Sequence, residues 1–319
     1  MKVVSSLSEA APARPSVVSI GNFDGLHLGH RAILDTVITE AGTAAMRSVA
    51  MTFSPHPVRF LAPGRSPKLI STLDQKVRLL EETGLDLLFI APFDEAFSRL
   101  APERFIREYL IKGLGARTVC VGSNFNFGYR QQGTIQTLRE CGSLQVIEVP
   151  PVRLHGTIVS STRVRELISA GAVSRTRRML GRWVELEGTI VEGAGRGRKQ
   201  TVPTLNLDTA NELLPRTGVY VTRISLDNGR LLDSITNVGV RPTFDDGGLT
   251  IETFVLRDAV PGQPRAAKLQ FMRRVRDEMK FESPEALRRQ ITRDIGRAEQ
   301  FFRRLNSLTA DCHAGSRSH

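Results

Sequence analysis

The chain has 319 residues, 40% hydrophobic and 24% charged, the composition of a soluble globular protein with room for two ordinary domains. No apolar run approaches the roughly 18 to 20 residues of a bilayer-crossing helix, and three scattered cysteines, Cys120, Cys141 and Cys312, exclude a disulfide framework and a structural zinc centre. A formal charge of +11 suits nucleic acid and polyanionic nucleotides alike, so charge alone does not choose between them.

Residues 1–15 lack the basic start, apolar middle and cleavage pattern of a signal peptide, so a cytoplasmic location is expected. Residues 16–20 are short and β-branched, and residues 31–38 carry apolar side chains at helical spacing, which predicts strand, turn, helix. Between them runs Ile20-Gly21-Asn22-Phe23-Asp24-Gly25-Leu26-His27-Leu28-Gly29-His30. Gly21 and Gly25 allow close backbone approach, and the following helix N-terminus favours bound phosphate. His27 and His30, three apart on one helical face, are placed to donate to phosphate oxygens as charge builds. Zinc is the other reading of such a pair, but no nearby cysteine, histidine or acidic cluster completes a ligand set.

The alternation continues with β-rich runs at 48–53, 87–90, 118–121 and 146–149, separated by amphipathic stretches at 73–83 and 102–112. This predicts a parallel sheet covered by helices, an α/β Rossmann-like domain. Ligands of such sheets bind at the carboxyl ends of the strands, where Ser54-Pro55-His56-Pro57 and Gly122-Ser123-Asn124-Phe125 join the histidine loop. His56 between two prolines either lines the pocket or shapes a turn. Phe125 and Phe127 either stack on a planar ligand or pack as core aromatics, and core packing is the reading preferred.

A helical patch at 161–180 begins Ser161-Thr162-Arg163-Val164-Arg165, with hydroxyls, free N–H groups and a guanidinium that all donate to oxyanions. The chain then changes to short strands at 184–191, 218–226, 234–238, 250–256 and 267–271, predicting a small antiparallel barrel. Ser283-Pro284 opens a closing helix to about residue 305, and residues 309–319 read as a disordered tail. Paired arginines on this helix, such as Arg288-Arg289 and Arg303-Arg304, read as a solvated face.

Several strings together resemble the prokaryotic bifunctional riboflavin kinase/FAD synthetase family. In the first half they are residues 21–30, Thr52-Phe53-Ser54-Pro55-His56-Pro57, the run Val121 to Gly128, and Val159-Ser160-Ser161-Thr162-Arg163-Val164-Arg165. In the second they are the run Gly188 to Leu207, Leu214-Pro215-Arg216-Thr217-Gly218-Val219-Tyr220, Asn237-Val238-Gly239-Val240-Arg241-Pro242-Thr243-Phe244 and Ile251-Glu252-Thr253. The likeness spans about residues 16–305 and implies a two-domain enzyme. Residues 1–180 would transfer AMP from ATP to FMN, giving FAD and pyrophosphate, and residues 181–308 would make FMN from riboflavin and ATP.

On that resemblance His27 and His30 stabilise the phosphoryl group and the leaving pyrophosphate, with Gly21, Phe23, Asp24, Gly25 and Asn124 around the nucleotide. Ser161, Thr162 and Arg165 clamp the triphosphate. In the second half, Gly193, Gly195, Arg196, Gly197, Arg198 and Lys199 form a glycine-rich basic loop suited to wrapping ATP phosphates. Thr204 and Asn206 are hard oxygen ligands for Mg²⁺, and Glu252 matches the base that takes the proton from the ribityl hydroxyl. His56, Phe125 and Phe127 are the flavin-contact candidates. The expected partners are riboflavin, FMN and ATP, with no nucleic acid or membrane, on a monomer or weak oligomer. The chain departs from the family pattern at Thr201 and Val202, where glycine and phenylalanine are usual, at Phe254, where histidine is common, and at Pro261-Gly262-Gln263-Pro264, which replaces an Asp-Leu-Tyr-Gly segment.

Overall fold

The computed structural model describes residues 1–10, 14–191, 204–240, 249–257, 260 and 262–315, with side chains to residue 307. The fold divides into two compact units, Met1–Val164 and Arg165–His319.

The first unit is built on six parallel strands: β1 (Lys2–Val4), β2 (Ser16–Ile20), β3 (Arg47–Ser54), β4 (Leu87–Pro92), β5 (Ala116–Gly122) and β6 (Gln145–Val149). Their order across the sheet is β1-β4-β3-β2-β5-β6. Successive residues point to opposite faces, so each central strand feeds two cores. Val18, Val49, Met51, Leu87, Phe89, Val119 and Val121 pack with Phe105, Leu110 and Leu114 on one side. Val17, Ala50, Leu88 and Cys120 pack with Leu34, Val37 and Leu80 on the other. Strands apolar on both faces are what a helix-covered parallel sheet requires. The edge strand β1 is absent from the sequence expectation because three residues carry too little periodicity to be seen.

Chain order and sheet order part company beside β2. From β2 the chain steps outward through β3 and β4, then returns to place β5 on the opposite side of β2. A crevice opens at such a switch point, beyond the carboxyl ends of the strands, and it is flanked by the histidine loop after β2 and by Asn124 after β5.

A short hairpin, β7 (Arg153–Leu154) with β8 (Thr157–Ile158), precedes the helix Ser161–Ser169. A second helix, Val173–Leu180, follows, and Gly171, at φ +72°, breaks what the sequence presents as one helical patch. In the second unit β9 (Val184–Val191), β10 (Leu205–Thr209), β11 (Gly218–Leu226), β12 (Leu231–Val240), β13 (Leu249–Val255) and β14 (Ala266–Arg276) close a barrel in the order β10-β13-β12-β11-β14-β9. All its pairings are antiparallel. One face of these strands buries a chain of hydroxyls, Ser234 to Thr222 at 2.8 Å, Thr222 to Thr236 at 2.7 Å and Thr236 to Thr253 at 2.9 Å. The other face carries Val219, Val221, Ile235 and Phe254, which pack with Ala298 and Phe302 of the closing helix.

That helix runs Pro284–Gly315, with Ser283 accepting from the Ala286 N–H at 3.2 Å. It continues past residue 309, where a disordered tail was expected, because residues 309–314 contain neither proline nor glycine to stop it. A buried ion pair, Arg276 with Asp294 at 2.7 Å, ties the helix to β14.

Candidate nucleotide and metal sites

The histidine loop is irregular backbone pinned from inside. Phe23 (φ 46°) and Leu26 (φ 32°) adopt left-handed conformations that non-glycine residues rarely hold, a strain that persists only where surroundings over-determine it. Gly25, at φ +75°, supplies a third such residue without that strain, and a side chain there would meet Ile70 at 2.8 Å. The pin is Asp24, 2% exposed. Its carboxylate accepts from the backbone N–H of Ile70 (3.1 Å) and Ser71 (3.2 Å) and from the Ser71 hydroxyl (3.3 Å). Lys76 is buried as well, and its pKa is lowered by desolvation, against the pull of the Asp24 charge. Phe23, also buried, sits edge-on to His30 with ring centroids 5.4 Å apart. Asp24 and Phe23 therefore hold the loop's shape from within.

His27 is the N-cap of the helix Leu28–Thr43, its Nδ1 accepting from the His30 N–H at 3.2 Å. An accepting Nδ1 carries no proton, so the neutral ring keeps its hydrogen on Nε2, the atom free of the capping bond. The His27 and His30 rings stack at 3.7 Å with an interplanar angle of 15°. The pair thus offers ring N–H donors at a helix N-terminus, an arrangement suited to polyphosphate.

One residue from further along the chain bonds to this loop. The Ser161 hydroxyl donates to the Asp24 carbonyl at 3.1 Å, which fixes the start of its helix against the histidine loop. Thr162 is exposed beside it, and Arg165 follows Ser161 by four residues, one turn along the same helix face. Asn124 is exposed after β5, its carbonyl accepting from Asn126 at 3.3 Å. Phe127 lies in the core and Phe125 stacks on it, centroids 5.5 Å apart, half-buried against the same cluster. His56 caps the short helix Pro57–Leu61, accepting from the Val58 N–H at 3.3 Å, so its Nδ1 does the turn-shaping that its flanking prolines imply.

In the barrel, strand register does what loop strain does in the sheet domain. Asn206 of β10 stands opposite Glu252 of β13, and Glu252 stands opposite Asn237 of β12. Directly opposed residues share a face, so the three form one row across adjacent strands. Thr204, two residues before Asn206, belongs to that face by the strand alternation. A hydroxyl and an amide oxygen are hard donors that fit a small divalent cation completing its shell with water and phosphate oxygens. No group of three or more histidine, cysteine, aspartate or glutamate side chains that could hold a metal occurs among the described residues. Phe254, where a histidine is common in the resembled family, packs into the apolar cluster under the closing helix. Gly193, Gly195, Arg196, Gly197, Arg198 and Lys199 lie outside the described residues, as do Thr201, Val202 and Pro261. Asn237 is the residue of this row that sequence reasoning did not single out.

The chain matches the family model for FAD synthetase over residues 9–163 and the model for riboflavin kinase over residues 180–302. The bifunctional riboflavin kinase/FMN adenylyltransferase of Bacillus subtilis is 31% identical, covering 91% of this chain and 93% of that protein. The protein of the same name from Pseudomonas fluorescens is 32% identical, covering 93% and 97%. Among solved structures, a Streptococcus pneumoniae protein described as a macrolide-efflux protein is 27% identical with a TM-score of 0.83, covering 92% of this chain and 96% of that one. No described helix here is long and apolar enough to cross a membrane. With one family model on each half and curated relatives aligned along both, the chain belongs to the bifunctional riboflavin kinase/FMN adenylyltransferase family.

Proposed function

We propose that the chain makes FAD from riboflavin in two ATP-dependent steps, the sheet domain adenylylating FMN and the barrel phosphorylating riboflavin. The observation that carries this reading is the pairing of a stacked histidine dyad at a helix N-terminus in one unit with an Asn206–Glu252 row in the other. Kinases and nucleotidyltransferases of these families use ATP, generally with a divalent metal.

In the first site a phosphate oxygen of FMN attacks the α-phosphorus of ATP, and the bond to the bridging oxygen breaks to release pyrophosphate. That nucleophile is already ionised at neutral pH, so positioning and charge neutralisation carry the step. His27 and His30 donate to the oxygens that gain charge, Asn124 orients the phosphates across the switch point, and Ser161, Thr162 and Arg165 supply further donors. Gly21 and Gly25 let the backbone approach the nucleotide, while Phe23 and Asp24 act through the loop they hold. Phe125 is the flavin-contact candidate best supported by its half-exposed ring. Phe127 and His56 serve it from the core and from the next loop.

In the second site the riboflavin ribityl hydroxyl attacks the γ-phosphorus of ATP, and the bond from that phosphorus to the bridging oxygen breaks to release ADP. An alcohol needs a base, and Glu252 takes its proton. Thr204 and Asn206 would hold Mg²⁺, which when bound neutralises charge on the β- and γ-phosphates. The basic loop from Gly193 to Lys199 is assigned the remaining phosphates. The chain acts in the cytoplasm as a monomer or weak oligomer on small molecules, without nucleic acid or membrane.

The test is incubation with riboflavin, ATP and Mg²⁺, followed by chromatographic separation of FMN and FAD. Both products are expected, with neither formed in excess chelator. Turnover that persists in chelator removes the metal from the reading, and an absence of both flavins under all conditions removes the reading itself.

A further inference from the structure

The closing helix packs on the barrel face that carries the row of Asn206, Glu252 and Asn237. Its Ala298 and Phe302 cluster with Phe254 and Ile235, which stand two residues along β13 and β12 from Glu252 and Asn237, on the same face by strand alternation. Beyond its first turn, where Glu285 is exposed, the acids of the helix are taken up in ion pairs. Asp294 is buried against Arg276 of β14 at 2.7 Å, and Glu299 is paired with Arg257 at 3.8 Å. What the far face presents is arginine. Arg288, Arg289, Arg293, Arg297, Arg303 and Arg304 are all exposed, with Arg289, Arg293 and Arg297 in one line at a spacing of four and Arg304 two turns further on. None of Arg289, Arg293, Arg297, Arg303 and Arg304 enters an ion pair among the described residues. No large apolar side chain is exposed beside them, so the ridge lacks the apolar edge of a membrane-surface helix and the aromatic platform of a single-strand binder.

We propose that this arginine ridge recruits the anionic cosubstrate of the barrel, a nucleoside triphosphate carried with its divalent cation, by attraction at a distance, and leaves the uncharged flavin to arrive unaided. The idea rests on the kinase reading of the barrel. The row presents the Glu252 carboxylate, and the Glu278 carboxylate stands over Gly239 on the same face; both oppose the approach of a triphosphate. A line of like charges about 22 Å long, from Arg289 to Arg304 at the helical rise, sets up an opposing positive field that concentrates an anion beside the helix. Such a field reaches about 30 Å in 0.01 M salt and about 8 Å at physiological ionic strength. The ridge therefore acts on KM for MgATP and leaves the chemical step alone.

The experiment measures kcat and both KM values for riboflavin phosphorylation in the full chain, counting FMN and FAD together as product, at a fixed excess of Mg²⁺ and at ionic strengths from about 0.03 M to about 0.5 M. One variant combines Arg289→Gln, Arg293→Gln and Arg297→Gln; two others change the same three positions to Glu or to Lys. At the lowest salt KM for MgATP is expected to rise about threefold in the Gln variant and about tenfold in the Glu variant, and at the highest salt to return to the parental value. The Lys variant is expected to follow the parent throughout, because it keeps the charge and loses only the fork geometry of arginine. Both kcat and KM for riboflavin are expected to stay at parental values at every salt. A rise in KM for MgATP that persists at high salt, or that appears in the Lys variant, marks direct contact with the nucleotide and overturns the proposal. A fall in kcat or a rise in KM for riboflavin of the same size, which marks a disturbed helix, overturns it as well. If the Glu variant loses the barrel's melting transition, the Gln and Lys variants decide, since both side chains are good helix formers. A parental chain that forms no FMN defeats the kinase reading and this proposal with it; a parental chain that forms FMN, with variants that keep its KM for MgATP at every salt, defeats this proposal alone.

Discussion

In the sheet domain the candidate side chains hang on irregular backbone in unfavourable torsions around a buried carboxylate, whereas in the barrel they hang on regular, paired strands. The loop needs Asp24, Ile70, Ser71 and Gly25 to keep His27 and His30 stacked. The row of Asn206, Glu252 and Asn237 needs only correct register between β10, β13 and β12. A damaged loop should therefore misplace its chemistry while its sheet survives. A damaged barrel strand should lose its chemistry and its fold together.

The largest effect that tests this contrast comes from Glu252→Gln. FMN formation is expected to fall by about 10²–10⁴, the usual worth of a general base, while conversion of supplied FMN to FAD continues at the parental rate by the same chromatographic assay. The reverse is expected of His27→Ala combined with His30→Ala: adenylylation down by roughly 10²–10³ and riboflavin phosphorylation unchanged. Abolition of both activities by either change would break the division of labour. Next comes Asp24→Ala, which strands two buried backbone donors and Lys76. A loss of about 3 kcal/mol is expected for the sheet domain, seen as an earlier transition in a thermal melt, with adenylylation falling more than the melt alone explains. Thr236→Val cuts the hydroxyl chain inside the barrel in two and should cost about 1–2 kcal/mol, lowering the melt and the kinase rate in parallel.

The smallest effect concerns Cys120, whose thiol is pushed up to about 12 by burial. The folded chain keeps this proton through a pH range in which the unfolded chain gives it up, so the sign is a loss of stability as pH rises from about 9 towards 12. Alkylation at pH 8.5 followed by peptide mapping is expected to label the half-buried Cys141 and spare Cys120 until denaturant is added. Early labelling of Cys120 would show that the sheet opens more readily than its packing implies.

Much of this was legible in the sequence because it is local. The β-branched runs, the glycine-punctuated bend and the two histidines three residues apart each declare themselves within a few positions. What escaped was non-local or hidden. Asn237 is fifteen residues from Glu252 along the chain, and only pairing across β12 and β13 makes them neighbours. Asp24 and Phe23 sit in a motif that names them as ligand contacts, and nothing in one dimension tells that their side chains turn inward. The strand β1 escapes a sequence reading because three residues cannot establish a period, and the closing helix runs beyond residue 305 because its polar end holds no proline or glycine before Gly315.

Closure of the barrel carries a last consequence. In an open sheet an outer strand can slip by one place and turn every side chain to the other face, but a ring of six strands, each bonded on both sides, leaves no edge along which slippage could begin. Glu252, Asn206 and Asn237 are therefore indexed to the ring by their strand pairings. A turn that carries no assigned residue, such as Asn228 to Arg230 between β11 and β12, is therefore open to being lengthened or exchanged, which makes that end of the barrel a natural host for grafted segments.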